Sequence, residues 1–275
     1  MKSTTILVTG ATGKSGSRIS KLLEDAGLDV RRGSRYSQSI FDWQDVATWP
    51  IALQEVQCVY ICYYPDFAFP GALDTLTAFA EAAKSAGVER LVMITGRGER
   101  HAQLGEEIIL NSGVSATILR SAWFAQNFSE GSFHQSVMEN AIPIPGDGNG
   151  EPIVDLDDFA EVAVKVLTES GHENKIYEIT GPRIITFGEV ADILTETLDR
   201  QIQYIPITFE TFYEELKRTT DKEYADIVTN IARETFDGRN AILSDDVELL
   251  LNRPSRDFTE FALKAFETGC WNVSV

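Results

Sequence analysis

The chain has 275 residues, enough to bury a large core as one domain or as a domain with an added lobe. Lys and Arg number 24 against 42 Asp and Glu, and the net charge of -18 repels nucleic-acid phosphates and anionic membranes, which leaves a small-molecule partner as the expectation. No apolar run is long enough to span a bilayer and the first residues lack the basic and apolar regions of a signal peptide, so a cytoplasmic protein is expected.

In chain order, the β-forming run Thr4 to Val8 predicts a buried strand that breaks into Gly10-x-x-Gly13-x-x-Gly16. The segment Ser17 to Ala26, with Ile19, Leu22, Leu23 and Ala26 on one face, predicts a helix that stops at Gly27, and Leu28-Asp-Val30 begins a second strand. Val56 to Tyr63 reads as a central parallel strand, Leu73 to Ala86 as a helix, and Arg90 to Thr95 as a strand. Gln103 to Leu110 then reads as helix and Ser115 to Arg120 as strand, with the Gly-Arg-Gly-Glu-Arg-His segment ending at His101 as a mobile surface loop. Beyond a loop at Gly146 to Gly150, Asp155-Leu-Asp-Asp158 caps a helix to Leu167, and Lys175 to Thr180 is extended. From Phe187 onward the pattern is mostly helical, with Ile202 to Ile207 extended. Strands alternating with helices predict an α/β fold, a doubly wound parallel sheet of Rossmann type, over residues 1–150. Residues 151–275 are expected to form a smaller, mainly helical lobe on the substrate side, interleaved with the first domain.

The glycine turn carries the chemistry. One glycine at a strand end permits a tight turn, a second lets the main chain approach a pyrophosphate, and a third lets the following helix pack on the sheet. That helix offers unpaired N–H groups and a positive dipole end to phosphates. Gly10, Thr12, Gly13, Lys14, Ser15 and Gly16 are therefore the candidate cradle of a dinucleotide. A mononucleotide P-loop is excluded, because the glycine it requires five residues before Gly13 is Val8. In such sheets ligands sit at the carboxyl ends of strands, which here are Thr9-Gly10, Gly33 to Arg35, Tyr63-Tyr64, Thr95-Gly96 and Arg120 to Phe124. Cys58, Cys62 and Cys270 have no metal or redox spacing and read as free thiols, and His101, His134 and His172 are too dispersed for a metal site.

At the second strand end there is no acidic partner for ribose hydroxyls but a cluster of Arg31, Arg32 and Arg35 around Gly33-Ser34, which favours NADPH. The other reading is that these arginines decorate a surface turn. Tyr63 is placed on the cofactor side, and the aromatics Tyr64, Trp123 and Phe124, with Asn127 among them, are candidates for the substrate pocket or for core packing.

Val8-Thr-Gly-Ala-Thr-Gly-Lys-Ser-Gly16, Phe41-Asp-Trp43, Ala47-Thr-Trp49 and above all Thr117-Ile-Leu-Arg-Ser-Ala-Trp-Phe-Ala-Gln-Asn-Phe-Ser129 resemble the NmrA-like atypical short-chain dehydrogenases, within them the branch of the ergot-alkaloid agroclavine dehydrogenases. Gly146-Asp-Gly148, Val154-Asp155, Asp157-Asp-Phe-Ala160 and Asn252-Arg-Pro-Ser-Arg256 continue the likeness. It implies a Rossmann fold and NADP as cofactor, with Arg35 and the Ser34 hydroxyl on the 2′-phosphate and Asp42 either beside the adenine or serving as a turn residue. Members include quinone reductases, iminium reductases and cofactor-sensing regulators, so the likeness leaves the substrate open. The Tyr-x-x-x-Lys pair of ordinary short-chain dehydrogenases is missing from the Gln103 to Leu110 helix, and Tyr213-Glu-Glu-Leu-Lys217 lies in the later lobe. Thr95, in the place of the family's strand-end serine, and His101 are the remaining candidates for substrate contact or proton donation. The expected function is hydride transfer to an iminium or quinone without a protein acid, the alternative a non-catalytic NADP-binding redox sensor.

Overall fold

The computed structural model describes residues 4–146 and 148–272, so Asp147 of the Gly146-Asp-Gly148 motif lies outside the described residues. Strand β1 (Thr5–Thr9) leads through the glycine turn into α1 (Lys14–Asp25), β2 (Asp29–Ser34) and the short β3 (Ser39–Ile40). A 3-10 turn at Val46–Thr48 and α2 (Trp49–Leu53) precede β4 (Cys58–Ile61), α3 (Ala72–Ser85), β5 (Arg90–Gly96), α4 (Arg100–Leu110) and β6 (Ser115–Ser121). After a 3-10 turn at Ala125–Phe128 come α5 (His134–Met138), β7 (Ala141–Pro145), α6 (Leu156–Thr168) and β8 (Lys175–Ile179). The remainder is α7 (Phe187–Leu198), β9 (Gln203–Ile207), α8 (Phe209–Thr219), α9 (Lys222–Thr235), α10 (Asp246–Leu251) and α11 (Phe258–Glu267).

The chain divides into two compact units. The first comprises Met1–Gly96, Arg100–Ser121 and Asp157–Glu178, the second Arg97–Glu99, Ala122–Leu156 and Ile179–Val275. Segment Asp157–Glu178 rejoins the first unit through polar ties: Asn174 N–H donates to Ala116 O, Thr117 Oγ1 to His172 O, and the Arg90 guanidinium to the carbonyls of Val166, Leu167 and Glu169. A cation is favoured there because the last carbonyls of α6 carry the negative end of its dipole.

In the first unit the strands form a seven-stranded sheet in the order β3-β2-β1-β4-β5-β6-β8, and the pairings among β1 to β6 are parallel. This is the doubly wound Rossmann order, and the chain reverses direction across the sheet between β1 and β4. All residues of β1 and β4 are buried, as expected for parallel strands covered on both faces. Leu7, Val59, Ile61, Leu91, Met93 and Ile118 share one core with the helical Leu76 and Phe79. In the second unit β7 and β9 pair in parallel, and Ile142 and Ile144 join Phe128, Phe187, Leu194 and Phe261 in a separate core.

Two boundaries differ from expectation for physical reasons. Helix α1 starts at Lys14 instead of Ser17, because Gly13 serves as its N-cap. Helix α4 starts at Arg100, so His101 belongs to its first turn and not to a surface loop. Among the described residues no helix is long and apolar enough to cross a membrane, and no group of three or more His, Cys, Asp or Glu could hold a metal ion.

One buried carboxyl stands out in the second unit. The backbone of Glu151 pairs in both directions with Ile185, while the residue is 1% exposed and, among the described residues, neither side-chain oxygen has a hydrogen-bond partner. Burial pushes this carboxyl up to about 7; Arg97 opposes the rise and Asp237 adds to it. The folded state therefore keeps a proton that the unfolded chain has lost, and the contribution to stability falls as pH rises from the ordinary carboxyl range through 7. Glu151→Gln should gain stability relative to the parent between pH 5 and pH 8, by on the order of 3 kcal/mol in denaturant titrations. A difference that stays constant across that range would show that the carboxyl ionises normally.

Candidate functional site

The glycine turn sits where β1 ends. Gly10 adopts the left-handed φ of 64°, and a Cβ there would come within 3.3 Å of the Cys62 Cβ. A Cβ on Gly16 would lie 2.3 Å from the Gly10 carbonyl oxygen, so α1 packs against the turn only because this residue has no side chain. Gly13 N–H donates to Gly10 O at 2.8 Å and Ala11 N–H to Gly33 O at 3.2 Å, which fixes the turn to the end of β2. Helix α1 has no side-chain cap and no acidic residue in its first turn. Its N–H end thus retains the capacity to bind an anion.

The predicted cradle residues divide by what their side chains already do. Thr12 and Gly13 are exposed, and Lys14 is half-buried. Ser15 is buried, and its hydroxyl accepts the Tyr60 phenol proton at 3.1 Å. Burial raises that phenol well above its usual range, so the proton stays on Tyr60.

The three arginines also separate. Arg31 donates to the carbonyls of Ile51, Ala52 and Gln54 at the C-terminal end of α2, and Arg32 makes two hydrogen bonds to Glu24 at 2.7 Å. Those two hold the fold. Arg35 is exposed and lies over the rings of Tyr36 at 5.7 Å and Tyr64 at 5.8 Å. The Ser34 hydroxyl donates to Ser37 Oγ and accepts from Tyr36 N–H, so it builds the turn that presents Arg35 and its proton is already committed.

Arg35, Asp42, Tyr63 and Tyr64 line one cleft of about 230 Å3 together with Thr12 and Gly13. Its wall explains two sequence motifs. The Trp49 indole donates to Asp42 O at 2.8 Å and the Trp43 indole to Cys62 O at 3.1 Å, while Phe41, Trp43 and Trp49 pack around Phe79. Asp42 is both a turn residue and a cleft residue: Oδ1 accepts Gln44 N–H at 3.0 Å. Tyr63 is half-buried between Trp43 and Phe67, and burial raises its phenol. Tyr36, Trp43, Gln44 and Cys62 also line the cleft and went unassigned in the sequence. For Tyr36 the sequence offered one signal, an aromatic directly after the arginine cluster.

Tyr64 was expected in the substrate pocket, and the structure sets it beside Arg35 in the first unit. Trp123, Phe124 and Asn127 lie in the second unit on the 3-10 turn and its approach. Trp123 stacks on Phe133 at 5.4 Å and packs on Phe236 at 4.8 Å, so much of its ring is core wall. Phe124 and Asn127 are half-buried, with Asn127 N–H donating to Phe124 O. The neighbouring Gln126 is fully engaged: it donates to Asp155 and accepts Leu156 N–H, capping α6.

At the carboxyl ends of β5 and β6 the first unit holds a charged network that sequence reasoning missed. Thr95, 3% exposed, donates to Glu106 Oε1 at 2.8 Å. The Arg120 fork reaches both Glu106 oxygens and extends to Glu178 at 3.1 Å; hydrogen bonding to Glu106, with Glu178 beside it, raises the guanidinium pKa. Helix α4 carries neither Tyr nor Lys; its inward face has Glu106 instead. The available signal was a carboxylate at a core position of the helical period, with Arg120 on a neighbouring strand. His101 is exposed, and its charge acts on Asp66, whose carboxyl is raised by burial and lowered in turn by Ala68 N–H and His101. Tyr213 lies on α8 with the Lys217 ammonium 5.1 Å over its ring face, an arrangement that does not put the ammonium on the phenol.

No family model matches the chain. Festuclavine synthase I of Penicillium roqueforti is 30% identical over 286 residues, covering 94% of this chain and 97% of that protein. The chain belongs to the NmrA-like atypical short-chain dehydrogenases. An NAD(P)H azoreductase of Xenophilus azovorans is likewise 30% identical, covering 94% and 96%. The NADPH-dependent quinone oxidoreductase of Escherichia coli, solved with NADPH, shares the fold with a TM-score of 0.76 at 22% identity, over 95% of this chain and 99% of that one.

Two glycine variants separate packing from binding. Gly16→Ala should fail to fold or lose several kcal/mol of stability, because its Cβ meets backbone. A Cβ on Gly13 would lie 3.2 Å from Gly10 O, so Gly13→Ala should fold with a melting temperature near the parent's and lose dinucleotide affinity in a fluorescence titration. Unchanged affinity would make the loop a turn without a ligand.

Proposed function

We propose that this chain is an NADPH-dependent reductase that delivers hydride to a small planar electrophile of iminium or quinone type, without a Tyr-x-x-x-Lys acid. The observation that carries this reading is Arg35: it is the one member of the arginine cluster with no carboxylate or carbonyl partner among the described residues, and it stands on the cleft beside the uncapped end of α1. A guanidinium there grips a 2′-phosphate bidentately, while the α1 N–H groups and the glycine turn take the pyrophosphate. Gly10 and Gly16 let the turn close on Cys62 and α1 close on the turn, and Asp42 and Tyr63 line the cleft beside them, where the adenine and ribose would lie. Bound NADPH supplies the hydride.

The electrophile follows from the protons available. Thr95 donates its own proton to Glu106, and α4 offers no tyrosine, so neither gives a proton to an oxygen that receives hydride. A ketone would leave an alkoxide without a donor, whereas an iminium ion loses its charge on reduction and a quinone product is protonated by water. The net charge of -18 attracts a cationic substrate. The azoreductase and quinone oxidoreductase names of the relatives agree with flat, conjugated acceptors. Phe124 and Asn127 remain our candidates for contact with the substrate. The three unpaired thiols suit the cytosol as the working compartment.

NADPH should bind more tightly than NADH, and Arg35→Ala should reduce that preference by about 1.5–3 kcal/mol, read as two dissociation constants. Equal affinities in the parent protein would remove Arg35 from the site. NADPH oxidation followed by absorbance should proceed with quinones or preformed iminium ions and not with simple ketones, and Tyr213→Phe should leave turnover unchanged. Ketone reduction abolished by Tyr213→Phe would overturn the mechanism, and tight NADPH binding with no turnover of any acceptor would select the redox sensor.

A further inference from the structure

Arg35 poses a positioning problem. An unpaired arginine carries about 2 kcal/mol of side-chain entropy that a ligand must overcome on binding. An ion pair would order it but would compete with the phosphate for the same N–H groups. Arg31 and Arg32 are ordered in that competing way, by carbonyls and by Glu24. Arg35 has instead two aromatic rings, on segments far apart in sequence: Tyr36 follows it in the turn after β2, and Tyr64 comes from the loop after β4. Both rings are conspicuously exposed, Tyr36 at 84% and Tyr64 at 66%. A ring face attracts a guanidinium without occupying its in-plane N–H donors, so a cation held this way keeps its charge and its fork for a ligand.

Resting on the 2′-phosphate role proposed for Arg35, we infer that Tyr64 is a specificity-determining residue: together with Tyr36 it holds the Arg35 guanidinium in the cleft, and so sets the preference for a 2′-phosphorylated dinucleotide. Tyr36 is fixed to Arg35 by sequence. Tyr64 is the tertiary half of the clamp, and its phenol has no part in it, because the attraction comes from the ring. As a largely exposed side chain it can be truncated without opening the core.

The test is the ratio of NADPH to NADH affinity in the full-length protein, measured by calorimetry for the parent, Arg35→Ala, Tyr64→Ala, Tyr64→Phe and the Arg35→Ala/Tyr64→Ala double variant. Tyr64→Ala should lower the ratio roughly three- to fivefold. Tyr64→Phe should restore the parent ratio, and Tyr64→Ala should change nothing further once Arg35 is alanine. A ratio that falls with Arg35→Ala but not with Tyr64→Ala overturns the tyrosine's role and leaves the phosphate assignment standing. An equal weakening of NADPH and NADH by Tyr64→Ala also overturns it, since the ring would then serve the shared part of the nucleotide. A ratio unmoved by Arg35→Ala overturns the phosphate assignment itself, and the clamp with it.

Discussion

The close approach of α1 to the glycine turn is the constraint on which the rest of the candidate site depends. With a Cβ at residue 16 only 2.3 Å from Gly10 O, any side chain would drive the helix off the end of β1. The helix would carry its N–H groups away with it. The same turn is tied to β2 by the Ala11 to Gly33 hydrogen bond, and Arg35 follows two residues later. These two backbone contacts therefore set both the position of the uncapped helix end and the place from which Arg35 projects.

A second constraint shapes the chemistry. Glu106 is buried, and a buried carboxylate is tolerable only when it is paired and its lone pairs are filled. Arg120 and Thr95 fill them. This network fixes the Thr95 hydroxyl with its proton directed at Glu106, so it can accept a hydrogen bond but is poorly disposed to donate one. The proposed preference for acceptors that need no protein acid rests on this arrangement more than on the absence of a tyrosine.

In the motif that most clearly marked the family, Thr117 to Ser129, the second half from Trp123 onward is largely structural in its own unit. Gln126 caps α6, the Trp271 indole donates to Phe128 O, and Trp123 packs on Phe133 and Phe236. These contacts explain why the motif identifies the fold without naming a substrate. Phe124 and Asn127 are half-buried, as are Trp123 and Ser129, whereas Ala125, Gln126 and Phe128 between them are buried.

By itself the sequence determined the doubly wound sheet, the glycine cradle and the family, because each rests on local spacing: alternating apolar runs, glycines three residues apart, and contiguous motifs. It did not show β7, whose Pro143 and Pro145 mask a strand that pairing with β9 makes evident. Charge composition singled out an arginine cluster, but which arginine is available depended on acceptors at Glu24 and beyond α2, far away along the chain. The role of Tyr64 beside Arg35, the burial of Glu106 and the unpartnered carboxyl of Glu151 were likewise decided by tertiary packing, since burial and partner geometry arise only when distant segments are brought together.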